Sequence, residues 1–289
     1  MHFNVNGYPL FAYTAGKAFD MAKPTVVFIH GVLNDHSVWI LQSRYLANHG
    51  YNVLAIDLPG HGKSAGPCPR TVQDAAHSII ALLDAAGLQQ AALVGHSWGS
   101  LIALHAASLA PGRITHLALL GTAFPMKVSP ALLDGALNTP QPTVAMVNTF
   151  SHSTLAPPPS ALGPGTWVQG GSQALMRRTL AGSLARTPPE NVFYIGFAAC
   201  NDYFEAFEAL AQVFTAQPAM LFIVGKLDQM TTPKAAKALI DKAPAASVAY
   251  LDCGHNMMNE APDEVLHALS GLLALPAQAA SVAAAAQPH

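Results

Sequence analysis

The stretch Ala91-Ala92-Leu93-Val94-Gly95-His96-Ser97-Trp98-Gly99-Ser100-Leu101 decides the fold. Its first four residues form an apolar run, and Leu101, Leu104 and Leu109 follow at helical spacing among alanines. Between the two lies a serine with glycine two residues before it and two after. A strand that turns into a helix over so few residues holds the serine in a strained conformation and projects its hydroxyl above the sheet. Glycine is needed at 95 and 99 because a Cβ there would collide with a neighbouring strand or helix. The bare pattern recurs by chance in roughly a tenth of chains this rich in glycine, so its position between strand and helix carries the weight.

Working outward, runs with few polar residues stand at 25–30, 52–58, 91–96, 114–120, 219–224 and 247–251. Strands buried on both faces of a parallel sheet read this way. Helical patterns alternate with them: Val72, Ala76, Ile79, Ile80 and Leu83 share one face, and Val265, Leu266, Leu269, Leu272 and Leu273 form the last amphipathic helix. Asn6-Gly7 between apolar residues marks a two-residue hairpin at the start. The alternation predicts an α/β fold with a mostly parallel sheet flanked by helices. One stretch, 124–213, is too long for a crossover and holds many prolines, with helical pieces near 131–137, 172–185 and 192–212. It is expected to be an inserted helical cap. The core is then 1–123 plus 214–276, and 277–289 is a flexible tail without apolar periodicity.

Composition narrows the class. The chain of 289 residues is 51% hydrophobic and only 10% charged, so it should bury a large core. A net charge of −2 without any basic block argues against a nucleic-acid partner. No apolar run is long enough for a membrane span, and the N-terminus lacks the basic and apolar regions of a signal peptide. Cys68, Cys200 and Cys253 are widely spaced, which argues against disulfides and points to the cytoplasm.

A serine hydroxyl needs a histidine base, itself oriented by a carboxylate. In this topology the order is serine, acid, histidine. Of thirteen histidines, His255 follows the strand at 247–251 in a loop at its carboxyl end, where catalytic groups of open α/β sheets gather. His267 falls inside the last helix. Asp228 follows the strand at 219–224, whereas the loop after 114–120 contains no acid. Asp252 ends the same strand that precedes His255 and is expected to stabilise its loop. The expected catalytic residues are therefore Ser97, Asp228 and His255. The oxyanion donors are expected to be the backbone N–H groups of Trp98, which follows the serine and starts a helix, and of Val32, which follows His30-Gly31.

These residues carry a resemblance. His30-Gly31 with Trp39 downstream, the block Asp57-Leu58-Pro59-Gly60-His61-Gly62-Lys63-Ser64, the Ser97 turn, Gly225-x-x-Asp228 and Gly254-His255 resemble, in order and approximate spacing, the capped α/β-hydrolase superfamily of esterases, haloperoxidases and C–C hydrolases. The resemblance spans roughly residues 3–275 and implies the same triad. Epoxide hydrolases and haloalkane dehalogenases of that superfamily carry an aspartate nucleophile, so Ser97 argues against both. Many C–C hydrolases carry a longer glycine-rich oxyanion loop and a second glycine where this chain has Ser100.

Two other motifs dissolve on inspection. Residues 60–65 superficially fit a dinucleotide fingerprint, but Gly66-Pro67-Cys68-Pro69 forbids the helix it must open. Gly62-Lys63-Ser64 lacks the glycine a P-loop needs at position 57. No cofactor is expected, and His30, His36 and His61 form no short metal-ligand motif, so no metal is expected either. Leu33, Phe124, Met126 and Met257 are expected to line an apolar substrate pocket, with Arg177 and Arg178 on a solvated face. The reading is a serine carboxylesterase acting on a small-molecule ester, as a monomer or homodimer. The alternatives on the same triad are a thioesterase or carrier-protein methyl ester hydrolase, a cofactor-free perhydrolase and a C–C hydrolase. A ligand-binding receptor on the same fold is the alternative of another class.

Overall fold

The computed structural model describes residues 1–153 and 164–274. The expected tail at 277–289 and the proline-rich stretch 157–163 lie outside the described residues. The chain runs β1 (His2–Val5), β2 (Tyr8–Tyr13), β3 (Thr25–Ile29), α1 (Ile40–Asn48), β4 (Asn52–Ile56), α2 (Val72–Ala85), β5 (Ala91–His96), α3 (Trp98–Leu109) and β6 (Ile114–Leu120). Five helices follow: α4 (Pro130–Asn138), α5 (Pro140–Phe150), α6 (Pro164–Leu184), α7 (Val192–Asn201) and α8 (Ala206–Val213). The fold closes with β7 (Ala219–Gly225), α9 (Pro233–Ile240), β8 (Ser247–Leu251), α10 (Met257–Glu260) and α11 (Pro262–Leu273).

The eight strands form one sheet in the order β1-β2-β4-β3-β5-β6-β7-β8. The pairs from β4 through β8 are parallel, and β1 and β2 are antiparallel at one edge. Asn6 and Gly7 both take positive φ, as a two-residue hairpin turn that follows the sheet's twist requires. Alternate residues of each central strand feed opposite cores. Val27 and Ile29 pack with α2 and α3, whereas Val26 and Phe28 pack with α1 and α11. Two strands stop short of the apolar runs that announced them, at Ile29 and Ile56. His30, Asp57 and Leu58 leave the ladder and build the sheet's carboxyl edge instead.

Helix starts follow local chemistry. The Thr71 hydroxyl accepts from Asp74 N–H at α2, and Thr232 accepts from Ala235 N–H at α9 with Pro233 in the first turn. Helix α5 was not expected from the sequence, because Pro140 and Pro142 read as loop punctuation. Both fall in its first turn, where a missing N–H costs nothing. The stretch expected as one helical piece at 192–212 is two helices. They part at Asp202–Glu205, where Tyr203 turns inward and its hydroxyl meets His105 Nδ1 at 3.1 Å. Helix α8 packs against α3 and so lies on the sheet's own helical layer. No helix among the described residues is long and apolar enough to cross a membrane.

The tightest backbone packing in the fold is at the turn into α3. A Cβ on Gly95 would overlap the Gly99 carbonyl, and a Cβ on Gly99 would overlap the Ile29 carbonyl and crowd that of His30. Those neighbours are backbone and cannot rotate away. Gly99→Ala is therefore expected to lower folding stability by about 3 kcal/mol. Gly112→Ala, where a Cβ meets nothing within 4 Å, should stay within about 0.5 kcal/mol of the parent. Denaturant midpoints of the two variants at constant slope test this, and equal midpoints would show that the close approach costs nothing.

Candidate active site

Strand β5 delivers Ser97 to the sheet's carboxyl edge with φ 54° and ψ −121°, a left-handed φ that a non-glycine residue holds only under constraint. The constraint is visible on both sides. Ser97 N–H donates to Leu120 O at 2.9 Å, and Ser100 N–H donates back to Ser97 O at 2.8 Å. Ser100 adds its hydroxyl to the same carbonyl. Gly31 lies against the serine: a Cβ there would come within 3.0 Å of Ser97 Cβ.

Asp228 and His255 come from the ends of β7 and β8. His255 Nδ1 donates to Asp228 Oδ2 at 2.8 Å, and both side chains are buried. An ionised carboxylate only accepts, so the bond places the ring proton on Nδ1 and leaves Nε2 as the ring's acceptor. Asp228 is held by three further donors. Met230 N–H and Thr231 N–H reach Oδ1 at 2.7 and 2.8 Å, and the Thr231 hydroxyl reaches Oδ2 at 2.7 Å. Burial by itself raises this carboxyl, but the charge and hydrogen bond of His255, with Thr231, outweigh it and hold Asp228 below the ordinary carboxylate value. Thr231 Oγ also lies 3.1 Å from His255 Nδ1. Thr231 belongs to no motif in the sequence, although a threonine three residues after a loop aspartate is itself a turn signal.

A second support lies under the imidazole. His96, the residue before the serine, donates from Nε2 to His255 O at 2.8 Å, and the two rings are 4.7 Å apart. The His96 ring is buried with Nδ1 unpaired. Burial first, and then the proximity of His255, drop its pKa to about 3, so it is neutral near pH 7. Gly121, at φ +52°, completes the seat, since a Cβ there would come within 3.1 Å of His255 Cε1.

Ser97 and His255 face one narrow cavity of about 30 Å³, space for roughly two waters. Among the described residues no hydrogen bond joins Ser97 Oγ to His255. Catalytic contacts in empty sites are often long and tighten when substrate is bound. Gly31, Val32, Asn34 and Met230 line the cavity from the core, and Val147, Ser151, Ser172, Met176 and Phe197 line it from the inserted helices. The lining contains no lysine or arginine.

Val32 N–H and Trp98 N–H have no acceptor among the described residues. The loop bearing Val32 is a turn closed by Asn34 N–H on Gly31 O, with Leu33 at φ +60°. The four side chains expected to contact substrate do not line the cavity. Leu33 and Met257 are wholly buried. Met126 packs into the same core as Leu33, and Phe124 stacks edge-on against Phe207. Adjacency in sequence to a loop of the site sent them inward rather than toward Ser97. Arg178, expected on a solvated face, is exposed but pairs with the buried Asp35 at 2.9 Å. Asp252 pairs with Lys226 at 2.9 Å and so ties the two loops that carry the acid and the histidine.

The block at 57–64 braces the site from behind. His30 Nδ1 donates to Gly31 O at 2.8 Å and its Nε2 accepts from Leu58 N–H at 3.1 Å, joining the Val32 loop to this block. Asp57 is fully buried and accepts from His36 N–H, His36 Nδ1 and Lys63 N–H. Burial would raise its carboxyl, but His36 and these amides bring it below the ordinary value. Asp35, His36 and Asp57 hold ligand atoms close enough for a cation, yet these carboxylates are already engaged by Ser37, Arg178, His36 and Lys63. Their donors make the cluster a structural clasp.

A family model described as alpha/beta hydrolase fold matches residues 24–262, and the chain belongs to that family. Among curated proteins it is similar to an epoxide hydrolase of Caballeronia sordidicola, 37% identical over 95 residues, or 32% of this chain and 29% of that protein. It is also similar to the dihydrolipoyllysine-residue acetyltransferase component of the acetoin cleaving system of Pseudomonas putida, 37% identical over 99 residues, covering 34% of this chain and 26% of that one. The chain thus spans less than a third of the length of these relatives. Among solved structures, the enol-lactonase from Burkholderia xenovorans LB400 superposes with a TM-score of 0.79 at 20% identity, over 94% of this chain and 99% of that one. An esterase from Exiguobacterium antarcticum gives 0.77 at 18% identity, over 94% and 98%. At such identities the likeness is one of fold.

The buried histidines make stability depend on pH. Burial drops His61, like His96, to about 3, against 6.5 for an exposed ring. Between those values the unfolded chain binds protons that the folded one does not, so stability present above pH 6.5 is lost as pH falls. At pH 5 each ring costs about 2 kcal/mol, and the depressed carboxylates Asp57 and Asp228 contribute no loss until pH nears 4. Urea unfolding at pH 7 and pH 5 should differ by at least about 4 kcal/mol, since His30, His105 and His152, also lowered by burial, add in the same direction; identical midpoints would show that these rings titrate in the fold.

Proposed function

We propose that the protein is a serine carboxylesterase that cleaves small, uncharged esters through an acyl-enzyme. The observation that carries the reading is a strained serine sharing one cavity with a histidine whose Nδ1 is tied to a buried, fourfold-bonded aspartate. In this mechanism Ser97 Oγ attacks the ester carbonyl while His255 Nε2 takes its proton. Asp228 holds the imidazolium that forms, and the N–H groups of Val32 and Trp98 receive the oxyanion. The imidazolium then protonates the departing alcohol, and a water activated by the same Nε2 releases the acid and restores Ser97.

Serine at 97 supports ester cleavage over epoxide opening on chemical grounds. A serine that opened an epoxide would be left as an ether, which water at the site cannot hydrolyse, whereas an acyl ester turns over. The absence of lysine and arginine from the cavity lining supports uncharged substrates.

Ser97→Ala should lower turnover of p-nitrophenyl acetate by about 10³–10⁶-fold. Near-parental turnover in the purified variant would remove Ser97 from the mechanism. A parallel panel of an oxygen ester, the matching thioester, a vinylogous diketone and peroxide-dependent halogenation fixes the bond type. Preference for any of the last three by about tenfold, roughly 1.4 kcal/mol in transition-state binding, would replace the carboxylester reading.

A further inference from the structure

The cavity at Ser97 is narrow, about 30 Å³, so a long acyl or alkyl chain has to extend beyond it. Helix α6 shows where. Ser172 and Met176, one turn apart, face the cavity. Ser172 also lines a groove of about 430 Å³ on the outer side of the same helix, between α6 and the 3₁₀ turn and helix that follow β3. Val38, Leu41, Trp167, Val168 and Leu175 line the groove, and Ser37, Asn259 and Arg178 add polar groups to it. Trp167 is 82% exposed and Leu41 51% exposed, a large apolar surface facing water directly beside the site. The one cation at the groove is already engaged by Asp35. Gly171 forms part of the groove floor, and a Cβ there would meet nothing within 4 Å.

We propose that this groove is the subsite for an unbranched, uncharged apolar chain of the substrate, which passes Ser172 to place its ester carbonyl at Ser97. The proposal rests on the esterase reading and adds the substrate class to it: medium-chain aliphatic esters. The walls supply apolar contact without a free charge, so a chain ending in carboxylate gains nothing there.

The test compares hydrolysis of p-nitrophenyl octanoate and acetate by the parent, Gly171→Phe and Gly170→Phe. Both glycines stand exposed on α6 with open space at Cβ, but only Gly171 lines the groove. Gly171→Phe should reduce the octanoate-to-acetate ratio of kcat/KM at least tenfold, and Gly170→Phe should leave that ratio within twofold. A second readout needs no turnover. In the Ser97→Ala background, 1-octanol should shift the emission of the exposed Trp167 to the blue, and Gly171→Phe should abolish the shift. An unchanged ratio and a persistent shift in Gly171→Phe would overturn the groove while leaving the esterase standing. Equal losses in both phenylalanine variants, or a preference for a chain ending in carboxylate, would overturn it as well. If the octanol shift behaves as expected but Ser97→Ala retains full hydrolysis, the groove stands and the mechanism at Ser97 falls.

Discussion

The fold turns on the close approach of two backbones. The first turn of α3 presses so hard against the end of β3 that no side chain fits between Gly99 and the Ile29 carbonyl. That contact forces the chain to reverse within one residue after β5, and the residue at the reversal is Ser97, left at a positive φ. Parallel neighbours then bring everything else to the same edge. Strand β3 lies next to β5 and delivers the loop with Val32, while β7 and β8 end two and three places away with Asp228 and His255. The chemistry is thus a property of strand order before it is a property of any side chain.

Histidine does unusual structural service here. His96 seats the backbone of His255, His30 ties the Val32 loop to the block after β4, and His36 clasps Asp57. His30 uses both ring nitrogens, one on the Gly31 carbonyl and one on the Leu58 amide, which suits a neutral imidazole to joining two loops. Burial lowers the pKa of both His30 and His96, and His30 needs the neutral form to accept from Leu58 N–H. The cost is a fold that must resist protonation of its own braces.

The strands and the three candidate catalytic residues are each marked locally in the sequence. Continuous apolar runs mark strands buried on both faces, and the serine, aspartate and histidine each sit just past one. Adjacent signals misled where direction mattered. Phe124, Met126 and Met257 follow the right strands, yet sequence position does not say whether a loop side chain turns into the cavity or back into the core. The true lining, Val147, Ser172, Met176 and Phe197, comes from helices whose placement depends on contacts far apart in the chain. Helix α5 was hidden for a related reason. Its prolines break helices in general and only the position within the first turn makes them harmless.

The inserted helices hold to the rest of the fold by two sets of contacts. The end of α5 is bound to the histidine loop itself: Asn256 N–H donates to Ser151 O at 2.8 Å, Asn256 Nδ2 to His152 Nε2 at 3.0 Å, and Ser153 N–H to Glu260 Oε2 at 2.9 Å. Backbone crowding at Gly254, where a Cβ would come within 2.6 Å of Ser153 N, adds shape to these bonds. Buried bonds of this kind leave an unsatisfied donor or acceptor when broken, at about 1–3 kcal/mol each. Helix α6 is held by apolar packing, with Met176 and Leu180 buried in the core, and by Asn148 Nδ2 donating to Gln169 O at 3.2 Å. Its ion pair, Arg178 with Asp35, has a guanidinium 67% exposed, and such pairs contribute about 0–1 kcal/mol. The wall of the cavity formed by α5 therefore belongs mechanically to His255 and cannot shift without it. The wall formed by α6 carries Ser172, which lines both the cavity and the neighbouring groove.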